Sequence, residues 1–306
     1  MCERFRFPDV GRIVDAQQMS VFLEVSGEPK PGNVTEDESF PEISYVDFVE
    51  AAIAMREPLV ACYRDARERE DASGSWGDAL WSSCEASMME GRNTIFGTLL
   101  LEVPLGLGAA LALESQSVVG RAGQVVDGSG VGDSIAFCRS ARFCGVGGLD
   151  LPLGCEAREL DLLDPGIEEK LKRDSVTLKE LLLPSVGYDL LAAELVGGYG
   201  LTRRAGRAFL RNLRERGDPR RACGETFIWL LSVEPDSLIA RTAGESTAEL
   251  VRSRAVEVVR REPFSEEWVE LAGDLDRFLR DRDLNPGALA DITAAGIFLA
   301  LLGESG

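Results

Sequence analysis

From Val10 to Leu302 the apolar residues of this chain recur at intervals of three and four. No stretch shows the sustained apolar-polar alternation between turn signals that marks a half-buried strand. This periodicity predicts an all-α fold. With 306 residues, 45% of them hydrophobic, the chain has enough apolar area for one large multi-helix domain over 1–306. Two segments are apolar on every side and are expected to be buried helices. Segment 94–113 (TIFGTLLLEVPLGLGAALAL) approaches the length of a bilayer span, but Glu102 and Pro104 sit at its middle and no basic flank follows. Segment 288–302 is shorter and carries Asp291. Both read as core helices, and no membrane association is expected.

The periodicity and its breaks place helices over about 10–25, 45–68, 80–89, from 93 onward, 133–143, 178–196, 202–216, 222–231, 236–261, 265–280 and 286–302. Segment 119–132 (VGRAGQVVDGSGVG) is dense in glycine and is expected to be a flexible connector. Gly145 to Gly148 form a glycine turn that follows no strand pattern, so neither a Walker loop nor a dinucleotide fingerprint is supported. No repeat of fixed period occurs.

Histidine is absent from the chain. This excludes Ser-His-Asp and Cys-His triads and the usual zinc sites. The seven cysteines show no C-x-x-C spacing, and no secretory leader is recognisable, so reduced thiols and a cytoplasmic location are expected. A net charge of -19 argues against a nucleic-acid groove, so any anion must be held by a local cluster of cations.

One such cation stands out. Lysine occurs only at Lys30, Lys170, Lys172 and Lys179, the remaining bases being arginine. Lys30 lies between Pro29 and Pro31, ahead of Gly32-Asn33. The prolines stiffen the backbone and the glycine permits an unusual dihedral, so the ammonium can be preorganised for a phosphate. The same residues also suit a plain helix-terminating turn with a solvated lysine. Arg92-Asn93-Thr94 open the apolar helix, where Asn93 or Thr94 can cap free N–H groups, and where a helix N-terminus with Arg92 nearby can hold an anion.

Carboxylates embedded in apolar segments form a third group: Asp189, Glu194, Asp236 and Asp291. Burial makes a carboxylate costly unless it is paired or bound to a cation. Asp189 and Glu194 lie about 140° apart on an ideal helix and would not chelate one ion from a straight one. Asp236 after Pro235, and Asn285 before Pro286, most simply read as N-caps. Asp291 has no such explanation.

In order along the chain, LEVSGEPKPGNV (23–34), FPEISYVDF (40–48), GRNTIFGTLLLEVPL (91–105), DSIAFCRSARFCGVGGL (133–149), TLKELL (177–182), DLLAAELVGGY (189–199), PDSLIARTAG (235–244) and LNPGALADITAAGIFLALL (284–302) resemble the triphosphoribosyl-dephospho-coenzyme A synthase family, in its archaeal-type branch. The resemblance covers nearly the whole chain. It implies an all-helical fold and transfer of the triphosphoribosyl group of ATP to the 2′-hydroxyl of dephospho-coenzyme A, with release of adenine. The product is a prosthetic-group precursor for acyl-carrier subunits.

On that resemblance, Lys30 and Arg241 bind phosphates, and Asn33, Asn93 and Thr94 orient the nucleotide. Gly32, Arg92, Asp236 and Asn285 complete the binding site. Asp189 or Asp291 acts as base, and Mg²⁺ is held among Asp189, Glu194 and Asp291. The expected partners are ATP and dephospho-coenzyme A, with a homo-oligomer left open. The family commonly carries histidine after KPGNV and near the asparagine motif, where this chain has Thr35 and Ile95, and its RK-x-G pattern appears as Arg241-Thr242-Ala243-Gly244. Those departures support a second reading, a diverged helical protein that binds a nucleotide without catalysing the transfer.

Overall fold

The computed structural model describes residues 9–112, 116–146, 161–162 and 164–304, and the fold is all-α, with no strand among them. The helices are α1 (Val10–Val25), α2 (Tyr45–Ala54), α3 (Arg56–Arg69), α4 (Ser75–Ser87), α5 (Phe96–Leu111), α6 (Val118–Asp127), α7 (Val131–Phe143), α8 (Ile167–Asp174), α9 (Leu178–Leu182), α10 (Leu190–Gly197), α11 (Gly200–Arg216), α12 (Pro219–Val233), α13 (Ser237–Ala243), α14 (Glu245–Val259), α15 (Glu266–Arg280) and α16 (Gly287–Leu301). No helix among the described residues is long and apolar enough to cross a membrane.

At the centre α5 and α16 pack on each other and on α1. These are the helices whose sequences are apolar all round, and almost every residue of α5 and α16 is buried. On one side α3, α4 and α6 cover α5, with α7 behind α4. On the other, α11 and α12 cover α16, α14 lies on α12, and α15 lies on α14.

Several expected helices are divided. The 236–261 pattern breaks at Gly244, whose φ of 93° lies outside helical space. The 178–196 pattern breaks at a short 3-10 turn, Leu183–Ser185, which carries Pro184. The 45–68 pattern divides at Met55, which keeps helical dihedrals. The connector expected over 119–132 is a correction, because most of it is helix α6 and the start of α7. Val118, Val119, Ala122, Val125 and Val126 repeat at helical spacing and are all buried, so packing on α5 outweighs the propensity cost of Gly120 and Gly123. The expected Gly145 to Gly148 turn lies partly outside the described residues.

A polar spine runs through this apolar centre. Gln17 Nε2 donates to Tyr63 Oη at 3.1 Å and to the carbonyl of Glu102 at 3.0 Å. Ser20 Oγ donates to Glu102 Oε1 at 2.7 Å. Burial pushes the Glu102 carboxyl well above the usual carboxylate range. Gly106 makes the spine possible, since a Cβ there would lie 2.4 Å from Tyr63 Oη.

Close approach of backbones also sets the α11/α16 crossing. A Cβ on Gly296 would lie 2.6 Å from Ala205 Cβ and 2.9 Å from the Gly206 nitrogen. In an isolated helix Gly296→Ala gains up to about 1 kcal/mol. Here it is expected to lose about 1–3 kcal/mol by overpacking, read as a lower urea midpoint. An unchanged or raised midpoint would show that the crossing tolerates a side chain.

Candidate active site

The last turn of α1 carries Glu24, followed by Ser26 at the C-cap and a loop that docks on α12 and α15. Gly27 and Gly224 allow that docking: a Cβ on Gly27 would lie 2.6 Å from Cys223 Sγ, and one on Gly224 would lie 2.5 Å from the Glu28 carbonyl carbon. Lys30 turns back into the protein and is buried. Its Nζ donates to Glu24 Oε1 at 2.7 Å and to the Glu24 carbonyl at 3.0 Å. The expected solvated or phosphate-facing ammonium is therefore the cationic half of a buried ion pair. Gly32, with φ of 72°, donates its N–H to Asp276 Oδ1 at 2.8 Å, and Arg280 Nη2 donates to the Asn33 carbonyl at 2.8 Å. The loop is stiff because the prolines, the ion pair and α15 all constrain it.

Asp291, on α16, is mostly buried and lies over the first turn of α5. Thr98 Oγ1 donates to Asp291 Oδ1 at 2.7 Å. A Cβ on Gly97 would stand 2.0 Å from Asp291 Oδ2, so only glycine leaves room for the carboxyl. Burial, and then the nearby charges of Glu24 and Asp236, raise the Asp291 pKa to about 8, against the opposing hydrogen bond from Thr98.

Asp236 caps α13, accepting from Leu238 N at 2.8 Å and Ile239 N at 3.0 Å through Oδ1. Its Oδ2 accepts from Leu289 N at 2.9 Å, which ties α13 to α16. Burial raises its pKa to about 6 despite these bonds. The N-cap reading holds, and the residue is in addition a neighbour of the Asp291 carboxyl.

Asp189 caps α10 through Ala192 N at 2.9 Å, and its Oδ2 pairs with Arg241 Nη1. Leu190 N donates to Ser237 Oγ at 3.2 Å, and Leu191 Cδ1 lies beside Gly97, against which the Asp291 carboxyl also rests, so the Asp189-Arg241 pair lies on the α10/α13 side of Asp291. Glu194 stands apart. Its two carboxylate oxygens accept from Leu201 N at 2.9 Å and Thr202 N at 2.7 Å at the start of α11. The three carboxylates expected to share Mg²⁺ are thus not gathered, because Asp189 and Glu194 each satisfy a different helix N-terminus. Among the described residues no group of three or more potential ligands forms a metal site.

The α5 approach is likewise dispersed. Asn93 Oδ1 accepts from Phe96 N at 3.1 Å, the capping role. Arg92 turns the other way, to Asp47 Oδ1 at 3.4 Å and the Glu42 carbonyl. Thr94 Oγ1 is shielded and has no partner among the described residues. Pro286, not Asn285, occupies the N-cap of α16, and Asn285 makes no capping bond. The structure therefore joins Lys30, Gly32, Asn33, Asp236, Asn285, Asp291 and the Asp189-Arg241 pair around the N-terminal half of α16. Arg92 and Glu194 lie outside that arrangement.

Sequence reasoning passed over Glu24 and Thr98. Glu24 had a signal, for Val10, Val14, Gln17, Val21 and Glu24 follow one helical stripe, so a carboxylate was destined for the core. Thr98 had none.

The chain matches the family model of ATP:dephospho-CoA triphosphoribosyl transferase, CitG, over residues 11–306. It belongs to that family. A crystal structure from Archaeoglobus fulgidus, of a protein provisionally assigned as a triphosphoribosyl-dephospho-CoA synthase, shares its fold. The TM-score is 0.62 at 23% identity, with 84% of this chain and 98% of that one covered. No curated protein matches the chain. Thr35, after the Lys30 to Val34 loop, makes a turn in which its Oγ1 accepts from Glu38 N at 3.2 Å.

Two outcomes follow for this transferase-family site. Lys30→Ala leaves Glu24 buried without its cation and is expected to cost about 3–5 kcal/mol. Lys30→Met with Glu24→Gln together should cost clearly less than the sum of the single changes, and strict additivity in the double-mutant cycle would contradict a buried pair. Asp291 has a folded-state pKa of about 8 above the unfolded value of about 3.9. The folded state therefore holds the extra proton, and stability falls as pH rises through that window. Asp291→Asn cannot ionise, so its Tm should exceed that of the wild type by several degrees at pH 9, with the gap shrinking as pH falls and nearly gone below about pH 4. Parallel pH profiles would count against a perturbed Asp291.

Proposed function

We propose that this protein transfers the triphosphoribosyl group of ATP to the 2′-hydroxyl of 3′-dephospho-coenzyme A and releases adenine. Membership of the triphosphoribosyl transferase family supports the substrate pair. The observation that carries the chemical assignment is Asp291. It is a carboxyl group fixed by Thr98 at the first turn of α5, with Oδ2 lying over the bare Cα of Gly97 and a pKa of about 8. A general base works best when its pKa lies near the operating pH, and that shift supplies in a carboxylate what histidine supplies elsewhere.

In the reaction, the bond from the acceptor 2′-oxygen to the ribose anomeric carbon forms as the bond from that carbon to adenine breaks. Asp291 takes the proton of the attacking hydroxyl, the departing ring nitrogen of adenine takes up a proton from water, and Asp291 returns its proton to water, so the charges balance over the turnover. Glu24 and Asp236, both buried carboxylates beside it, add negative potential that favours the positive charge developing on the ribose ring. Arg241 meets the triphosphate from the rim, releasing Asp189 from its ion pair.

The donor set fits Mg²⁺ that arrives with ATP better than a resident ion. Magnesium on a triphosphate needs only one or two protein carboxylates, and Asp189, paired with Arg241, would offer one. Bound there, Mg²⁺ would neutralise phosphate charge. Lys30 acts at one remove, pairing with Glu24 and holding the loop in place.

The test is adenine release from ATP with Mg²⁺ and dephospho-coenzyme A. Wild-type protein should release adenine, and Asp291→Asn should lower kcat by about 10²–10⁴ while still binding ATP. Absence of adenine from folded wild-type protein that binds ATP would instead favour a nucleotide-binding protein without transfer.

A further inference from the structure

Among the described residues, two side-chain amides near the start of α16 each have a shielded atom without a partner. Asn33 is buried and its Nδ2 has no acceptor, and Asn285 is half-buried with its Oδ1 shielded and lacking a donor. The backbone of Asn33 is already committed, its N–H to the Lys30 carbonyl at 3.2 Å and its carbonyl to Arg280 at 2.8 Å. The two residues stand on loops that touch, since a Cβ on Gly32 would lie 3.0 Å from the Leu284 carbonyl oxygen. The Asn285 amide folds over the start of α16, where a Cβ on Gly287 would be 3.6 Å from both of its terminal atoms. Polar atoms shielded from water are nearly always paired, because leaving them unpaired costs free energy. Here one donor and one acceptor go unpaired on adjacent loops.

Their complement is a planar edge that accepts at one atom and donates at the next. Adenine presents that edge, a ring nitrogen beside the exocyclic amine. Hypoxanthine places an oxygen acceptor where the amine was. We propose that Asn33 and Asn285 form an adenine subsite, with Asn33 Nδ2 donating to a ring nitrogen and Asn285 Oδ1 accepting from the amine. This rests on the transferase reading above, in which both ATP and dephospho-coenzyme A carry adenine. The stiffness of the Lys30 to Asn33 loop suits the task, because a base held in fixed register fixes the anomeric carbon relative to Asp291.

The test is binding in the absence of reaction. Dissociation constants are measured by calorimetry for ATP against ITP with Mg²⁺ and no acceptor, and for dephospho-coenzyme A against its deaminated, hypoxanthine-bearing counterpart with no ATP. Wild-type protein should prefer the adenine form of at least one ligand by about ten-fold or more, since a site built to bond an amine rejects its replacement. That ligand is the occupant. In Asn33→Ala and Asn285→Ala the preference should fall to about three-fold or less, while Asn285→Asp, which keeps the acceptor, should retain it. Because the amides have no protein partners, both alanine variants should melt within about two degrees of the wild type. Absence of preference for either ligand, preference undiminished in both alanine variants, or a large drop in Tm from a structural role for the amides would overturn the proposal. Failure of the transfer reading shows separately, as wild-type protein that releases no adenine, and leaves this binding comparison standing.

Discussion

The ammonium of Lys30 and the carboxylate of Glu24 lie together in an apolar interior, and that pairing organises what surrounds it. Neither charge could be buried alone at tolerable cost. Lys30 reaches its partner because Pro29, Pro31 and Gly32 turn the chain back on the end of α1, and because Gly224 of α12 lets the loop backbone press against the helix. Asp276 and Arg280 of α15 close the loop from the other side. Asn33 is thereby held beside the loop that leads into α16 in a defined conformation. A lysine so placed is structural in the strict sense, and its influence on chemistry runs through its bonds to Glu24 and the loop it holds.

Glycines decide how near the other charged group comes. Gly97 gives Asp291 a seat on the first turn of α5, Gly106 admits the hydroxyl of Tyr63 to the polar spine, and Gly206 and Gly296 bring α11 against α16. Each contact is shorter than any Cβ would allow. Asp291 consequently sits where water is scarce and two other carboxylates are close, so its proton is held to a pH at which ordinary aspartates are ionised. A chain without histidine thus still offers a group that exchanges a proton near neutrality.

The expected site and the observed one differ in how their parts are shared out. Capping absorbs several conspicuous polar residues: Asn93 serves α5, Asp189 α10, Glu194 α11 and Asp236 α13. A cap does not bar a residue from the site: Asp236 caps α13 while its charge acts on Asp291, and Asp189 caps α10 while pairing with Arg241. Glu194 has both oxygens turned to α11, which removes it from any shared metal. Arg92, drawn to Asp47 and the Glu42 carbonyl, belongs to the α2/α4 side of the molecule.

The helical class, the burial of the two apolar helices, the turn at Lys30 and the ordered motifs of the family were all legible in the sequence, because each depends on local spacing or on a run of neighbouring residues. The stripe that carries Val21 and Glu24 into the core was legible in the same way. The glycine count over 119–132 misled because propensity is local, whereas the burial of Val118, Ala122 and Val125 on α5 that overrides it is not. Which carboxylate meets which cation, and which loses its water, was decided only by the tertiary structure. Glu24, Thr98 and Asp291 are far apart along the chain, and their coupling arises from the crossing of α1, α5 and α16, whose closeness is set by the absence of a side chain at Gly97.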